Sequence, residues 1–257
     1  MMECKYVVFM GPAGSGKTTL TATFSDWLSS QGIDNVKVNL DPAVEYLPYD
    51  PDIDVRNYVD AREVAKKYSL GPNGALLASM DLLYGKLEDI KKELMEIEGE
   101  YVLIDMPGQL ELFSFRSTGP LIVDRLSSKN RTAVVFLMDA NFTASVENFL
   151  SILMLSHSIR IRHYFPQINA ISKIDLLSPE LLEELLTLKE SPELLKEKVI
   201  DKGDPKYHDY INSIADFLIE EGIDFIPVSS TTGEGLDELF ASIQNLISNL
   251  DEIETNL

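Results

Sequence analysis

The segment Gly11-Pro12-Ala13-Gly14-Ser15-Gly16-Lys17-Thr18 constrains the fold more than any other stretch of the chain. It has the spacing G-x-x-x-x-G-K-T. An apolar run, Lys5 to Met10, leads into it and a helix-forming pattern, Lys17 to Gln31, leads out. A strand that turns through glycines into a helix gathers backbone N–H groups and the positive end of a helix dipole at one point. That point suits the phosphates of a nucleoside triphosphate. Glycine is required because side chains would obstruct the inward-turned N–H groups of Gly14 to Lys17. Lys17 can bridge the β- and γ-phosphate oxygens, and Thr18 offers a hydroxyl to Mg²⁺. Thr19 follows in the same turn and is counted with the loop. The second position is Pro12. ATPases with a deviant loop carry a lysine there that reaches into a partner subunit, so Pro12 argues against that branch.

Short apolar runs recur along the chain with helical patterns between them. Val36 to Leu40, Tyr101 to Ile104, Thr132 to Met138, Ile168 to Ser172 and Phe225 to Val228 read as buried strands. Asp60 to Tyr68, Ala75 to Glu98, Ser145 to Arg160 and Gly235 to Leu250 read as helices. Ala43 to Tyr58 reads as a loop rich in Pro, Asp and Tyr. Alternation of this kind predicts a three-layer α/β/α P-loop NTPase with a mainly parallel central sheet. One domain spans 1–257 in this reading, with insertions near 59–98 and, helix-rich and charged, near 179–221.

Ligands of such sheets sit beyond the carboxyl ends of the strands. Asp41 and Asp105 end two of them. Asp105 opens Asp-Met-Pro-Gly-Gln, and an Asp in that position holds Mg²⁺ through water. Pro107 and Gly108 turn the chain so that the Gly108 N–H can face a γ-phosphate. Gln109 then stands where an amide can orient an attacking water. Glu111 is close in sequence but not placed by it.

Ser172-Lys173-Ile174-Asp175 follows an apolar strand and has the shape of the guanine motif N-K-x-D, with Ser in place of Asn. The Asp175 carboxylate can accept hydrogen bonds from guanine N1–H and the 2-amino group. Adenine has no such donor pair, and its entry leaves the carboxylate unmatched. The stem of Lys173 can lie along the base. Val228-Ser229-Ser230 resembles a final guanine motif in which a backbone N–H meets the base oxygen. GTP and GDP are therefore the expected nucleotides.

The formal net charge of −20 opposes direct nucleic-acid or membrane binding through a general basic surface. It also suits a basic protein partner. One cysteine, Cys4, and three scattered histidines, His157, His163 and His208, provide no metal-ligand spacing. No apolar run reaches membrane-spanning length, and the first residues lack a signal-peptide pattern. A cytoplasmic location is expected.

Between two helical patterns lies Gly71-Pro72-Asn73, in which Asn73 can cap the following helix. Together with GPAGSGKT at Gly11 to Thr18, NLDPA at Asn39 to Ala43, DVR at Asp54 to Arg56 and DMPGQLELF at Asp105 to Phe113, this turn resembles the GPN-loop GTPases, dimerising P-loop GTPases. The compact length looks like an archaeal or minimal member. The resemblance implies a homodimer in which Asn73 of one protomer contacts the γ-phosphate region of the other. It also implies a Mg²⁺-site and catalytic carboxylate at Asp41 and water-handling residues at Gln109 and Glu111. Eukaryotic relatives are linked to RNA polymerase assembly. The departures are Ser172 for Asn, and Asn57 where relatives often carry an acidic residue.

Two other readings stay open. A small-molecule or polynucleotide kinase needs an acceptor site and an Arg-bearing lid, whereas Arg is sparse here. A non-catalytic assembly factor would bind GTP without turning it over. A metal-delivery GTPase is disfavoured because Cys and His are few.

Overall fold

Side chains alternate across a strand, so a buried parallel strand must supply apolar residues to both faces. In β1 (Lys5–Met10), Val7 and Phe9 enter one core, and Val8 and Met10 the other. The computed structural model describes residues 4–110, 118–127, 131–202 and 205–255. Among them, β1, β2 (Asn35–Asn39), β3 (Ile53–Asp54), β4 (Tyr101–Asp105), β5 (Thr132–Asp139), β6 (Gln167–Ser172) and β7 (Ile226–Val228) form one sheet in the order β3-β2-β4-β1-β5-β6-β7. Every pairing is parallel.

On one face lie α1 (Lys17–Ser30) and the last helix described, α10 (Leu236–Thr255). Leu20, Phe24 and Leu28 of α1 meet Leu236, Leu239 and Ile243 of α10 over Phe9, Leu103 and Val135. Phe24 stacks on Trp27 at 5.9 Å, and Phe240 meets the Trp27 edge at 5.3 Å. The opposite face carries α2 (Ala61–Tyr68), α3 (Pro72–Tyr84), α4 (Leu87–Glu96), α5 (Thr118–Leu126) and α6 (Val146–His163). Between β6 and β7 come α7 (Pro179–Glu190), α8 (Leu194–Lys202) and α9 (His208–Glu221). No helix of the described residues is long and apolar enough to cross a membrane.

Three local expectations change. The helical pattern Ala75 to Glu98 is two helices, α3 and α4, broken at Gly85 and Lys86. Glycine is a poor helix residue, and here the Gly85 N–H closes α3 on the Leu82 carbonyl while the Lys86 N–H takes that of Leu83. The Ala43 to Tyr58 loop contains β3, whose two residues pair with Val38 and Asn39. Asn73 is not the cap of α3. Gly71 holds that position without a side-chain hydrogen bond and Pro72 begins the helix. Proline suits a first helical position because its missing N–H would have no intrahelical partner there.

Candidate nucleotide site

Sheet register brings the strand ends to one level. Asp105 at the end of β4 lies opposite Asn39 of β2 and Phe9 of β1. Asp139 at the end of β5 lies opposite Ser172 of β6, which lies opposite Val228 of β7. The glycine loop leaves β1 at this level and ends at Gly16, whose left-handed backbone (φ 89°) caps α1. A non-glycine residue would be strained there.

Lys17 is buried, and its Nζ donates to the carbonyls of Gly11 and Pro12, both at 2.9 Å. Burial lowers the Lys17 pKa, and the charges of Asp105 and Asp41 partly oppose that fall. The Gly108 turn stands against the loop. A Cβ on Gly108 would lie 3.3 Å from Ala13 Cα and 3.6 Å from Lys17 Nζ.

Asp105 is 1% exposed. Burial pushes its carboxyl up to about 6, opposed by the hydroxyls of Thr18 and Tyr49 and the Lys17 charge. Tyr49 donates to Asp105 Oδ2 at 3.1 Å, while Oδ1 is buried without a hydrogen-bond partner, as is Ser15 Oγ. Asp41 is also raised by burial, against the Ala43 N–H, which donates to its Oδ1 at 2.8 Å. The Thr18 hydroxyl, Asp41 and Asp105 are hard oxygen donors of the kind Mg²⁺ takes, and the orphaned Oδ1 of Asp105 fits that role. Among the described residues no group of three or more His, Cys, Asp or Glu forms a metal site without other help.

The segments NLDPA and DVR meet beside this site. Asn39 Nδ2 donates to Asp54 Oδ1 (3.0 Å) and to the Asp41 carbonyl (3.2 Å), while its Oδ1 accepts from Asp41 N–H (3.0 Å). Arg56 clasps Asp54 through Nε and Nη2 and reaches the Val44 carbonyl. Asn39 thus fixes where β2 delivers Asp41.

Asn73 and Gln109, both exposed, line one cleft of about 380 Å³ with Pro12, Ala13, Gly108, Leu110 and Leu155. Asn73 thus shares a cleft with Pro12 and Ala13 of its own phosphate loop. Glu111 lies outside the described residues. Thr19 is exposed in the first turn of α1.

The residues expected to select the base are tied to the loop and to one another. Ser172 Oγ lies 2.7 Å from the Ser15 carbonyl and 3.2 Å from that of Met138. The serine therefore keeps a tie to the phosphate loop that the motif's asparagine would make. Lys173 Nζ donates to the Gly14 carbonyl at 2.6 Å and pairs with Asp139 Oδ2 at 2.7 Å. Burial works against Asp139, but the Lys173 hydrogen bond and two from Asn141 hold its carboxyl below the ordinary range. Asp175 Oδ1 accepts from Ser229 Oγ at 2.6 Å, and Ser229 Oγ accepts from the N–H groups of Thr231 and Thr232. Ser230 is anchored through its carbonyl by the Thr23 hydroxyl.

Two site residues were missed in the sequence. Asp139 ends an apolar strand as Asp41 and Asp105 do, so the same signal was present. Tyr49 has no local signal, being one tyrosine in an irregular loop.

A parallel sheet with a glycine loop between β1 and α1, strand-end carboxylates beside Lys17, and an S-K-I-D segment tied to that loop defines a P-loop nucleoside triphosphatase. A family model described as "Conserved hypothetical ATP binding protein" matches residues 9–249. The chain is 32% identical to GPN-loop GTPase 1 of Dictyostelium discoideum over 92% of its own length and 60% of that protein's. It thus spans less than two thirds of that relative. It is 33% identical to GPN-loop GTPase 3 of the same organism, over 95% and 87% of the two chains. A GTPase of Pyrococcus abyssi, solved in its apo form, superposes with a TM-score of 0.83 at 32% identity, covering 94% of this chain and 97% of that one. The chain belongs to the GPN-loop GTPase family, a family of GTP hydrolases.

Proposed function

We propose that this protein hydrolyses GTP to GDP and phosphate with Mg²⁺ and acts as a homodimeric switch or assembly factor for a protein partner. The observation that carries the guanine choice is Asp175. Asp175 is exposed, its carboxylate is fixed by Ser229 at 2.6 Å, and its segment is tied to the phosphate loop through Ser172 and Lys173. A positioned carboxylate matches the N1–H and 2-amino donors of guanine and rejects adenine.

Thr18, Asp105 and Asp41 would hold Mg²⁺, which supplies charge neutralisation of the β- and γ-phosphates. Loop N–H groups and Lys17 stabilise the charge that builds on the phosphoryl oxygens. Binding a triphosphate moves Lys17 from the Gly11 and Pro12 carbonyls to phosphate oxygens. Gln109, at the edge of the cleft, orients the water that attacks the γ-phosphate, with Glu111 assisting. Asn73 of the opposite protomer closes the site, so turnover is slow until the dimer closes.

The test is a hydrolysis assay of wild type and Asn73→Ala with GTP and ATP. GTP turnover far above ATP turnover is expected. The variant should be slowed while GDP affinity is retained. Equal turnover of the two nucleotides removes the guanine reading. Tight GTP binding with no single-turnover hydrolysis replaces it with a non-catalytic assembly factor.

A further inference from the structure

The loop that joins β2 to β3 touches both carboxylates beside Lys17. It begins at Asp41, whose Oδ1 takes the Ala43 N–H. It ends at Asp52, locked to β2 because the Lys37 N–H donates to Asp52 Oδ2 at 2.7 Å and the Asp52 N–H to the Lys37 carbonyl at 2.9 Å. Between these anchors Tyr49 turns inward, and its hydroxyl donates to Asp105 Oδ2 at 3.1 Å. The other oxygen, Oδ1, is buried and has no hydrogen-bond partner.

A carboxylate can rotate about its last bond and exchange its two oxygens. A donor fixed on Oδ2 removes that freedom and leaves Oδ1 as the oxygen available to a metal's water shell. We infer that Tyr49 is a positioning residue for Mg²⁺, orienting Asp105 by a hydrogen bond to Oδ2 so that Oδ1 faces the ion's hydration shell. A phenol is a neutral O–H donor at ordinary pH. Hydrogen bonds behind a metal-site carboxylate commonly change metal affinity by ~10- to 100-fold when removed. The inference rests on the reading that Asp105 serves Mg²⁺.

The experiment measures equilibrium binding of fluorescent methylanthraniloyl-GDP while Mg²⁺ is titrated, in wild type, Tyr49→Phe and Asp105→Asn. Phenylalanine keeps the ring and loses only the hydroxyl. Affinity in EDTA reports whether the fold and the base site survive. In Tyr49→Phe, the Mg²⁺ concentration for half-maximal tightening should rise ~10-fold, with EDTA affinity unchanged. An unchanged half-point overturns the inference. A lower half-point also overturns it, because Tyr49 would then compete with the metal's water. So does an equal loss of affinity with and without Mg²⁺, the mark of a purely structural contact. If Asp105→Asn shifts the half-point and Tyr49→Phe does not, only the role of Tyr49 fails. If Asp105→Asn leaves the half-point unchanged, the metal-site reading fails and the Tyr49 inference with it.

Discussion

At the guanine end of the site the polar side chains have partners within the protein. Ser172 reaches the Ser15 carbonyl, Lys173 holds Gly14 and Asp139, and Asp175 is fixed by Ser229. At the phosphate end, Ser15 Oγ and Asp105 Oδ1 are buried without a hydrogen-bond partner, and Lys17 leans on carbonyls of its own loop. The carboxyl groups separate the same way. Asp139 is held below the ordinary range, and Asp41 and Asp105 are raised above it. Selection of a neutral base edge calls for a rigid, satisfied frame, because discrimination comes from what a wrong base leaves unpaired. Capture of a triphosphate and its cation calls for groups whose burial is compensated by the incoming charges. The two ends meet through Ser172 and Lys173, which hold the carbonyls of the glycine loop from behind.

The contrast is broken most severely at Lys17. Lys17→Ala removes a cation whose charge acts on both Asp41 and Asp105, along with the donor proposed for the transferred phosphate. Turnover of GTP should fall by ~10²- to 10³-fold, measured under single-turnover conditions with the variant saturated. A loss below tenfold would move the burden of charge stabilisation to the loop N–H groups.

Asp105→Asn tests the raised carboxyl. With a folded pKa of about 6 against an ordinary 3.8, the folded state binds more protons between those values. Its contribution to stability is complete below the ordinary value and is lost as pH rises through 6. That loss is on the order of 3 kcal/mol. Asparagine cannot ionise. In protein free of nucleotide and Mg²⁺, Asp105→Asn should gain thermal stability over wild type as pH rises from 5 to 7.5. Asp139→Asn should go the other way. The lowered Asp139 stabilises above its ordinary range, so its variant should lose stability at pH 7.5 and draw level with wild type as pH falls below that range. Parallel behaviour of the two variants would end the distinction between the ends of the site.

Asp175→Asn sharpens the guanine end. Hydrogen bonds to a charged group contribute about 1.5–3 kcal/mol. GDP affinity should therefore fall ~10- to 100-fold. Xanthine carries a carbonyl where guanine carries its 2-amino group, and an asparagine amide supplies the matching donor. Competition of XDP against GDP should rise in the variant. If both nucleotides weaken equally, Asp175 serves the Ser229 turn and not the base.

How much of this was legible in the sequence depends on the range of the contacts. Gly11 to Thr18 is readable because strand, turn and helix N-terminus are consecutive. The long buried strands are readable because parallel pairing demands unbroken apolar runs. β3 escapes because two residues carry no periodicity, and only pairing with Val38 and Asn39 makes them a strand. Asn73 looks like a cap because asparagine favours that role locally, while Pro72 moves the helix start two residues earlier. The Ser172–Ser15 tie spans 157 residues and Tyr49–Asp105 spans 56. Partners at such separations are chosen by packing, and no spacing rule points to them. Asp139, at the end of an apolar strand, carries the same local signal as Asp105.

Ser172 supplies the finest test because it touches both ends at once. The serine hydroxyl is buried and has one proton to give, and the shorter of its two contacts is the Ser15 carbonyl at 2.7 Å rather than the Met138 carbonyl at 3.2 Å. Ser172→Ala removes that donor and leaves a backbone acceptor of the phosphate loop without it, a cost of about 1 kcal/mol. If the bond acts by steadying the loop against the base frame, GDP affinity should fall ~5-fold. Ser172→Thr, which keeps the hydroxyl, should retain it. The same substitution should leave guanine-over-adenine preference intact, since Asp175 and Ser229 are untouched. Wild-type affinity in Ser172→Ala would mean that the loop holds its shape through its own glycines and the Lys173 contact to Gly14. A fall in affinity together with lost base preference would mean that Ser172 reads the base itself.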